Sequence, residues 1–183
     1  KNTEKIGVIG AGFMGEGITE VSINSGMDVI LKDLDDKMIH QARKNIWKNL
    51  SRKVKRRQMS KVLAKTTAQR AIGQLDYKGF DKVDVVVEAI VENMSVKKKL
   101  IKELEGICNE DFIFASNTSS LPLTEMSEDA KKPENIVGMH YFSPVTKMPL
   151  LEIIKTSKTS KQAIATCYEI GKRQGKTCIV VND

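Results

Sequence analysis

The sequence predicts an α/β fold, a doubly wound and mainly parallel sheet with helices on both faces. Two observations carry this. Short apolar runs alternate with segments of helical period along the whole chain, and strands alternating with helices pair in parallel through crossovers that cover both faces. A glycine-rich hexapeptide, Gly10-Ala11-Gly12-Phe13-Met14-Gly15, stands between the first apolar run and the first helical segment.

Each element follows from its pattern. Residues 5–9 form the first strand, and the helix opened by the glycine loop runs through Ile18, Val21 and Ile23. Val29-Ile30-Leu31-Lys32-Asp33 is the second strand and ends in a carboxylate. A long, increasingly basic helix follows through Ile39, Ala42, Ile46, Leu50 and Val54. A looser polar stretch extends to about Lys82, with Gly73 and Gly79 as turns. Residues 83–87 read as a buried strand and 95–106 as a helix with Val96, Leu100, Ile101 and Leu104 on one face. Strands at 112–115, 136–139 and 150–154, a helix at 161–174 and a strand at 177–181 complete the chain. Ligands of such sheets sit beyond the carboxyl ends of the strands, so the segments after Val87, Ala115 and Met139 should surround one crevice. The 183 residues read as a single domain, 1–183, cut from something longer.

Composition narrows the class. The hydrophobic content of 40% and charged content of 29% are those of a globular protein. No apolar run approaches the ~20 residues of a membrane helix, so no transmembrane segment is expected. Cys108, Cys167 and Cys178 are odd in number and lack metal-ligand spacing, which predicts free thiols and no metal. The net charge of +7 is concentrated: between Arg43 and Arg70 stand eleven Lys or Arg residues and no acid. Two readings are open for that run, a solvated helix face or an anion site for a polyphosphorylated substrate. With Trp47 its only aromatic and no recognised binding motif, a nucleic-acid partner is not expected.

The hexapeptide is a G-x-G-x-x-G placed after a strand and before a helix, the context that gives the pattern meaning. Gly10 allows the tight turn, Gly12 lets backbone N–H groups approach a pyrophosphate, and Gly15 allows close packing of helix on strand. The helix N-terminus adds partial positive charge toward the phosphates. Asp33 lies 18 residues beyond Gly15, close to the ~20 expected of an acid that accepts from an adenosine ribose. The chain therefore binds a dinucleotide. The carboxylate repels a 2′-phosphate, so NAD is favoured over NADP; adjacent Lys32 points to the other face by strand alternation.

Few residues offer further chemistry. His40 reads as a surface residue of the long helix. His140 directly follows the strand 136–139 at the crevice, where it serves as a structural residue or as the base that alcohol oxidation needs. Glu152 interrupts the apolar run Leu-Leu-Glu-Ile-Ile, either paired with a histidine or facing solvent from an edge. The cluster Ser116-Asn117-Thr118-Ser119-Ser120 orients a ligand oxygen or caps a helix. Glu88 and Glu92 face the cofactor or cap the following helix, and Lys97 reaches the cofactor or is one more exposed lysine.

Taken together, GAGFMG, VVVEAIVEN, FASNTSSL, GMHYFSPV and LLEII, in this order, resemble the NAD-binding domain of the L-3-hydroxyacyl-CoA dehydrogenase family across essentially the whole chain. GMHYFSPVTKMPLLEII and the basic KVKRRQMS stretch resemble the version in multifunctional β-oxidation proteins, the trifunctional α-subunit group. The resemblance implies NAD-dependent oxidation of an L-3-hydroxyacyl-CoA, with His140 as base and Glu152 as its carboxylate partner. It implies that Ser119 touches both substrate oxygen and nicotinamide, and that Ile90, Val91, Glu92 and Lys97 contact the cofactor beside Asp33. Asn49 and Arg56 fall near positions that hold the CoA moiety. Many members carry Asn where this chain has Ser143, a nicotinamide contact whose hydroxyl still makes one hydrogen bond. The family continues into a C-terminal helical domain absent here, so the resemblance implies a chain that binds NAD but turns over poorly alone. It also implies a parent that is a homodimer or part of a multifunctional complex, placed in the mitochondrial matrix, with peroxisome or bacterial cytoplasm as alternatives. Two rival functions are an L-gulonate-type dehydrogenase of the same superfamily and an NAD-binding subunit without catalysis.

Overall fold

A computed structural model describes residues 3–183. Its elements are β1 (Lys5–Ile9), α1 (Phe13–Asn24), β2 (Asp28–Lys32), α2 (Asp36–Lys55), α3 (Lys61–Gln69), β3 (Ala71–Gln74), β4 (Val85–Glu88), α4 (Met94–Glu105), β5 (Ile113–Ser116), α5 (Leu123–Met126), β6 (Ile136–Tyr141), β7 (Leu150–Lys155), α6 (Lys161–Arg173) and β8 (Thr177–Asn182). The eight strands form one sheet in the order β3-β2-β1-β4-β5-β6-β7-β8. Pairing is parallel from β3 to β6; β7 runs antiparallel to β6, and β8 runs parallel to β7. This is the doubly wound Rossmann arrangement, with its winding reversal between β1 and β4.

The continuous apolar runs are explained by burial on both faces. Val85 and Val87 join the core shared with Ile6, Val8, Ile18 and Leu31, while Val86 joins Ile30, Phe80, Leu104 and Phe114 on the opposite side. Helix starts are set by short polar side chains: Asp35, Ser60, Asn93 and Ser160 each accept a backbone N–H two or three residues on. Asp183 does the same from afar, accepting from the N–H groups of Leu123 and Thr124 at the start of α5.

The stretch expected to be loose between α2 and Lys82 is instead ordered into α3 and the edge strand β3. Gly79 is a turn, with φ at +86°. Gly73 is not: it lies within β3, and a Cβ there would collide with Ile39 of α2. A four-residue strand made of Ala, Ile, Gly and Gln carries too little apolar alternation to be recognised by period.

One polar chain ties three elements together inside the first core. The buried Tyr141 of β6 donates its hydroxyl to Gln174 Oε1 at 2.6 Å, and Gln174 Nε2 donates to Ser22 Oγ of α1 at 2.9 Å. Replacing Tyr141→Phe keeps the ring and strands Gln174 Oε1 without its donor. The expected loss is about 1–2 kcal/mol of unfolding free energy, read from urea melts; an unchanged midpoint would show the chain of hydrogen bonds to be idle.

Candidate functional site

The site forms where the loops after β1 and β4 meet. Gly10 holds φ +103° and donates its N–H to Lys32 O of β2, at 2.8 Å. A Cβ on Gly10 would strike the Ala89 carbonyl, and one on Gly15 would strike the Gly10 carbonyl. Only glycine permits this backbone contact. Gly12 stands at the N-terminus of α1, which no side chain caps. Its missing Cβ faces open space, with Met38 Cε the nearest atom at 4.0 Å. Asp33 spans the loop, accepting the Ala11 N–H through Oδ2 at 2.8 Å and the Asp35 N–H through Oδ1 at 3.0 Å. Lys32 points elsewhere, its Nζ 4.3 Å from the centroid of the Tyr77 ring. An uncapped helix start, a cradle without side chains and a ribose-height carboxylate fit a dinucleotide.

A crevice of about 340 Å³ continues from this loop, lined by Met14, Ala89, Ile90, Glu92, Lys97, Asn117, Ser119, His140, Tyr141, Phe142 and Ser143. Phe13 and Val91 are exposed beside it. At one wall, the antiparallel register of β6 and β7 places His140 directly opposite Glu152. His140 Nδ1 lies 3.1 Å from Glu152 Oε2 in a partly buried pair, with the Phe142 ring 4.5 Å from the imidazole. Glu152 is thus neither on an edge strand nor without a partner. His40 lies outside the crevice, exposed on α2.

The opposite wall is an ionic network. Lys97 of α4 is buried, not exposed, and reaches both oxygens of the equally buried Glu88 at 2.9 and 3.0 Å and Glu92 Oε1 at 2.7 Å. Neither acid caps α4; Asn93 does. Glu92 also accepts from the hydroxyls of Thr118 and Ser120. Partial burial opposes its charge, but Lys97 and the two hydroxyls outweigh that and hold its carboxyl below the ordinary range. In the Ser116–Ser120 segment, Ser116 serves Glu88, and Thr118 Oγ1 accepts the N–H groups of Ser120 and Leu121. Ser119 alone of its four hydroxyls makes no hydrogen bond among the described residues, and it faces the crevice. The sequence marks Ser116, Asn117 and Thr118 only as members of one polar cluster and Phe142 only within GMHYFSPV; the partner each takes depends on spatial neighbours.

Asn49 and Arg56 lie elsewhere, in a separate pocket of about 530 Å³ that also gathers Arg52, Lys53, Lys147 and Arg173. Asn49 Nδ2 donates to Glu20 Oε1 there at 2.7 Å. Burial raises the Glu20 carboxyl above its ordinary range, and the Asn49 bond only partly offsets this.

Fold and loop together define an NAD-binding domain of the dehydrogenase class. The sequence pattern of the 3-hydroxyacyl-CoA dehydrogenase NAD-binding domain matches residues 5–183, and the chain belongs to that family. It is 44% identical over 183 residues to the fatty acid oxidation complex subunit alpha of Idiomarina loihiensis, covering all of this chain and 26% of that protein. The fold superposes on 3-hydroxybutyryl-CoA dehydrogenase from Escherichia coli K12 with a TM-score of 0.96 at 30% identity, over 100% of this chain and 39% of the other. It superposes on the dehydrogenase part of multifunctional enzyme 1 from C. elegans with a TM-score of 0.86 at 29% identity, over 99% and 41%. The chain thus spans about a quarter of the length of its curated relative.

The depressed carboxyl of Glu92 makes a pH prediction. Its unfolded value lies near ~4.3 and its folded value lower, so its contribution to stability is complete above that range. The contribution disappears as pH falls through the folded value. With its side chain 42% exposed, the effect should stay under about 1 kcal/mol. Urea midpoints between pH 3 and 6 should fall less steeply in Glu92→Gln than in the parent; identical slopes would remove Glu92 from the account.

Proposed function

We propose that this domain serves the NAD-dependent oxidation of an L-3-hydroxyacyl-CoA to the 3-ketoacyl-CoA in fatty-acid oxidation. The observation that carries the reading is the His140–Glu152 pair at the wall of the crevice that opens from the glycine loop. Glu152 accepts from Nδ1–H, which fixes the tautomer and leaves Nε2 with a free lone pair. Nε2 takes the proton of the substrate's C3 hydroxyl, and Glu152 stabilises the imidazolium that results. NAD, when bound, supplies the acceptor for the hydride leaving C3. Ser119, with its hydroxyl uncommitted, donates to the reacting oxygen and holds it toward His140. Ser143 sits on the nicotinamide side, and Asp33 binds the adenosine ribose and disfavours a 2′-phosphate.

The CoA moiety is assigned to the basic pocket around Asn49 and Arg56, where four further cations face one cavity. Charge density of that kind suits a polyphosphate and supports CoA over a plain sugar acid. The name of the curated relative supports a place in a multifunctional oxidation complex. The mitochondrial placement draws no support from it, because that relative is bacterial.

Two measurements test this. In the full-length protein, His140→Gln should lower kcat about 10²–10⁴-fold with NADH affinity nearly intact; near-normal turnover of acetoacetyl-CoA would refute the base assignment. Asp33→Ala should weaken NADH binding more than NADPH binding in fluorescence titrations, and equal losses for the two would defeat the ribose role.

A further inference from the structure

The crevice wall made by the β4–α4 loop is held from behind by a residue that does not line it. Glu88 ends β4 with no solvent exposure. Its Oε1 accepts the Ile90 N–H at 2.8 Å and Lys97 Nζ at 2.9 Å; its Oε2 accepts Lys97 Nζ at 3.0 Å and Ser116 Oγ at 2.6 Å. Each of these bonds reaches a different part of the wall. The Ile90 bond bends the chain immediately after β4, and the Ser116 bond ties that turn to the end of β5. The Lys97 bonds locate an ammonium that in turn grips Glu92. A buried lysine beside one half-exposed acid would be poorly compensated. With two carboxylates bonded to it, Lys97 is compensated and Glu92 keeps its orientation toward the crevice.

We propose that Glu88 is the positioning residue for NAD binding, acting through Ile90, Lys97 and Glu92 rather than by touching the cofactor. The inference rests on the reading that this wall faces NAD, and it adds a cause for the wall's shape. Removing the charge of Glu88 leaves Lys97 pulled to Glu92 alone, and both groups leave the positions in which they face the ligand. Charge-assisted hydrogen bonds are the strong ones, so the effect on the ligand should exceed that of an ordinary surface change.

The test is an NADH fluorescence titration that reads dissociation constant and amplitude separately. Positioning predicts that Glu88→Gln raises the dissociation constant about tenfold or more. Ser116→Ala, which removes the hydroxyl's bond to Glu88 and the acceptor of the Thr118 N–H but leaves the ion pair, should raise it about two- to fivefold in a protein that still melts cooperatively. A purely structural role predicts otherwise: the binding-competent fraction and so the amplitude fall, while the dissociation constant of the folded molecules stays as in the parent. That second result in Ser116→Ala, whether or not Glu88→Gln folds, overturns the proposal alone. Absence of NADH binding in the parent chain would overturn the cofactor reading and this inference with it.

Discussion

The structure depends on a contact between backbones that only glycine allows. Gly10 lies against the Ala89 carbonyl and Gly15 against the Gly10 carbonyl, with no room for a Cβ at either. This brings the loop after β1 against the loop after β4 at the point where the sheet reverses its winding. Helix α1 consequently starts directly over the end of β1, with its free N–H groups aimed into the opening. The crevice that holds His140 on one side and Glu92 on the other is the continuation of that meeting point. A side chain at either glycine would separate the strands' ends and displace the helix start together.

The second constraint is electrostatic. A chain of net charge +7 carries its cations and its buried ions in separate places. The excess lies on α2 and α3, where the acid-free run turns toward a basic pocket. Around the crevice, charges are paired inside the protein: Lys97 with Glu88 and Glu92, His140 with Glu152. Among the described residues, no buried side-chain nitrogen or oxygen lacks a hydrogen-bond partner. Buried ions persist only under such compensation, and the wall that a ligand would meet holds, among the described residues, no unpaired buried charge.

Much of this was legible in the residues, and what was not has a definite cause. The glycine spacing, the acid at position 33 and the apolar runs specify strand, turn and helix locally, so β1, α1 and β2 could be read directly. The pairing of His140 with Glu152 is implied by the family resemblance, whereas the residues alone leave it open, because it is a cross-strand relation twelve residues apart that depends on β7 running antiparallel to β6. For Lys97 the residues leave open a cofactor contact or one more exposed lysine, because burial is a tertiary property and nothing in Val96-Lys97-Lys98-Lys99 itself distinguishes the one that turns inward. β3 gives no periodic signal because its four residues carry too little apolar alternation, and Gly73 reads as a turn because close packing and turning both ask for glycine.

The register that sets His140 opposite Glu152 also decides how the pair can be lost. Both residues sit on interior strands, since β7 is flanked by β6 and β8 and β6 by β5 and β7. Neither fraying at a sheet edge nor a rotamer change on a loop separates their backbones. A slip of one residue would turn Glu152 to the opposite face, and such a slip requires the β6–β7 ladder to open. Amides of such strands belong to the most slowly exchanging class, whose opening approaches global unfolding. The acid–base pair is thus a property of the β5–β8 half of the sheet: partially unfolded forms that shed β3 or α3, at the other end of the strand order, would retain it.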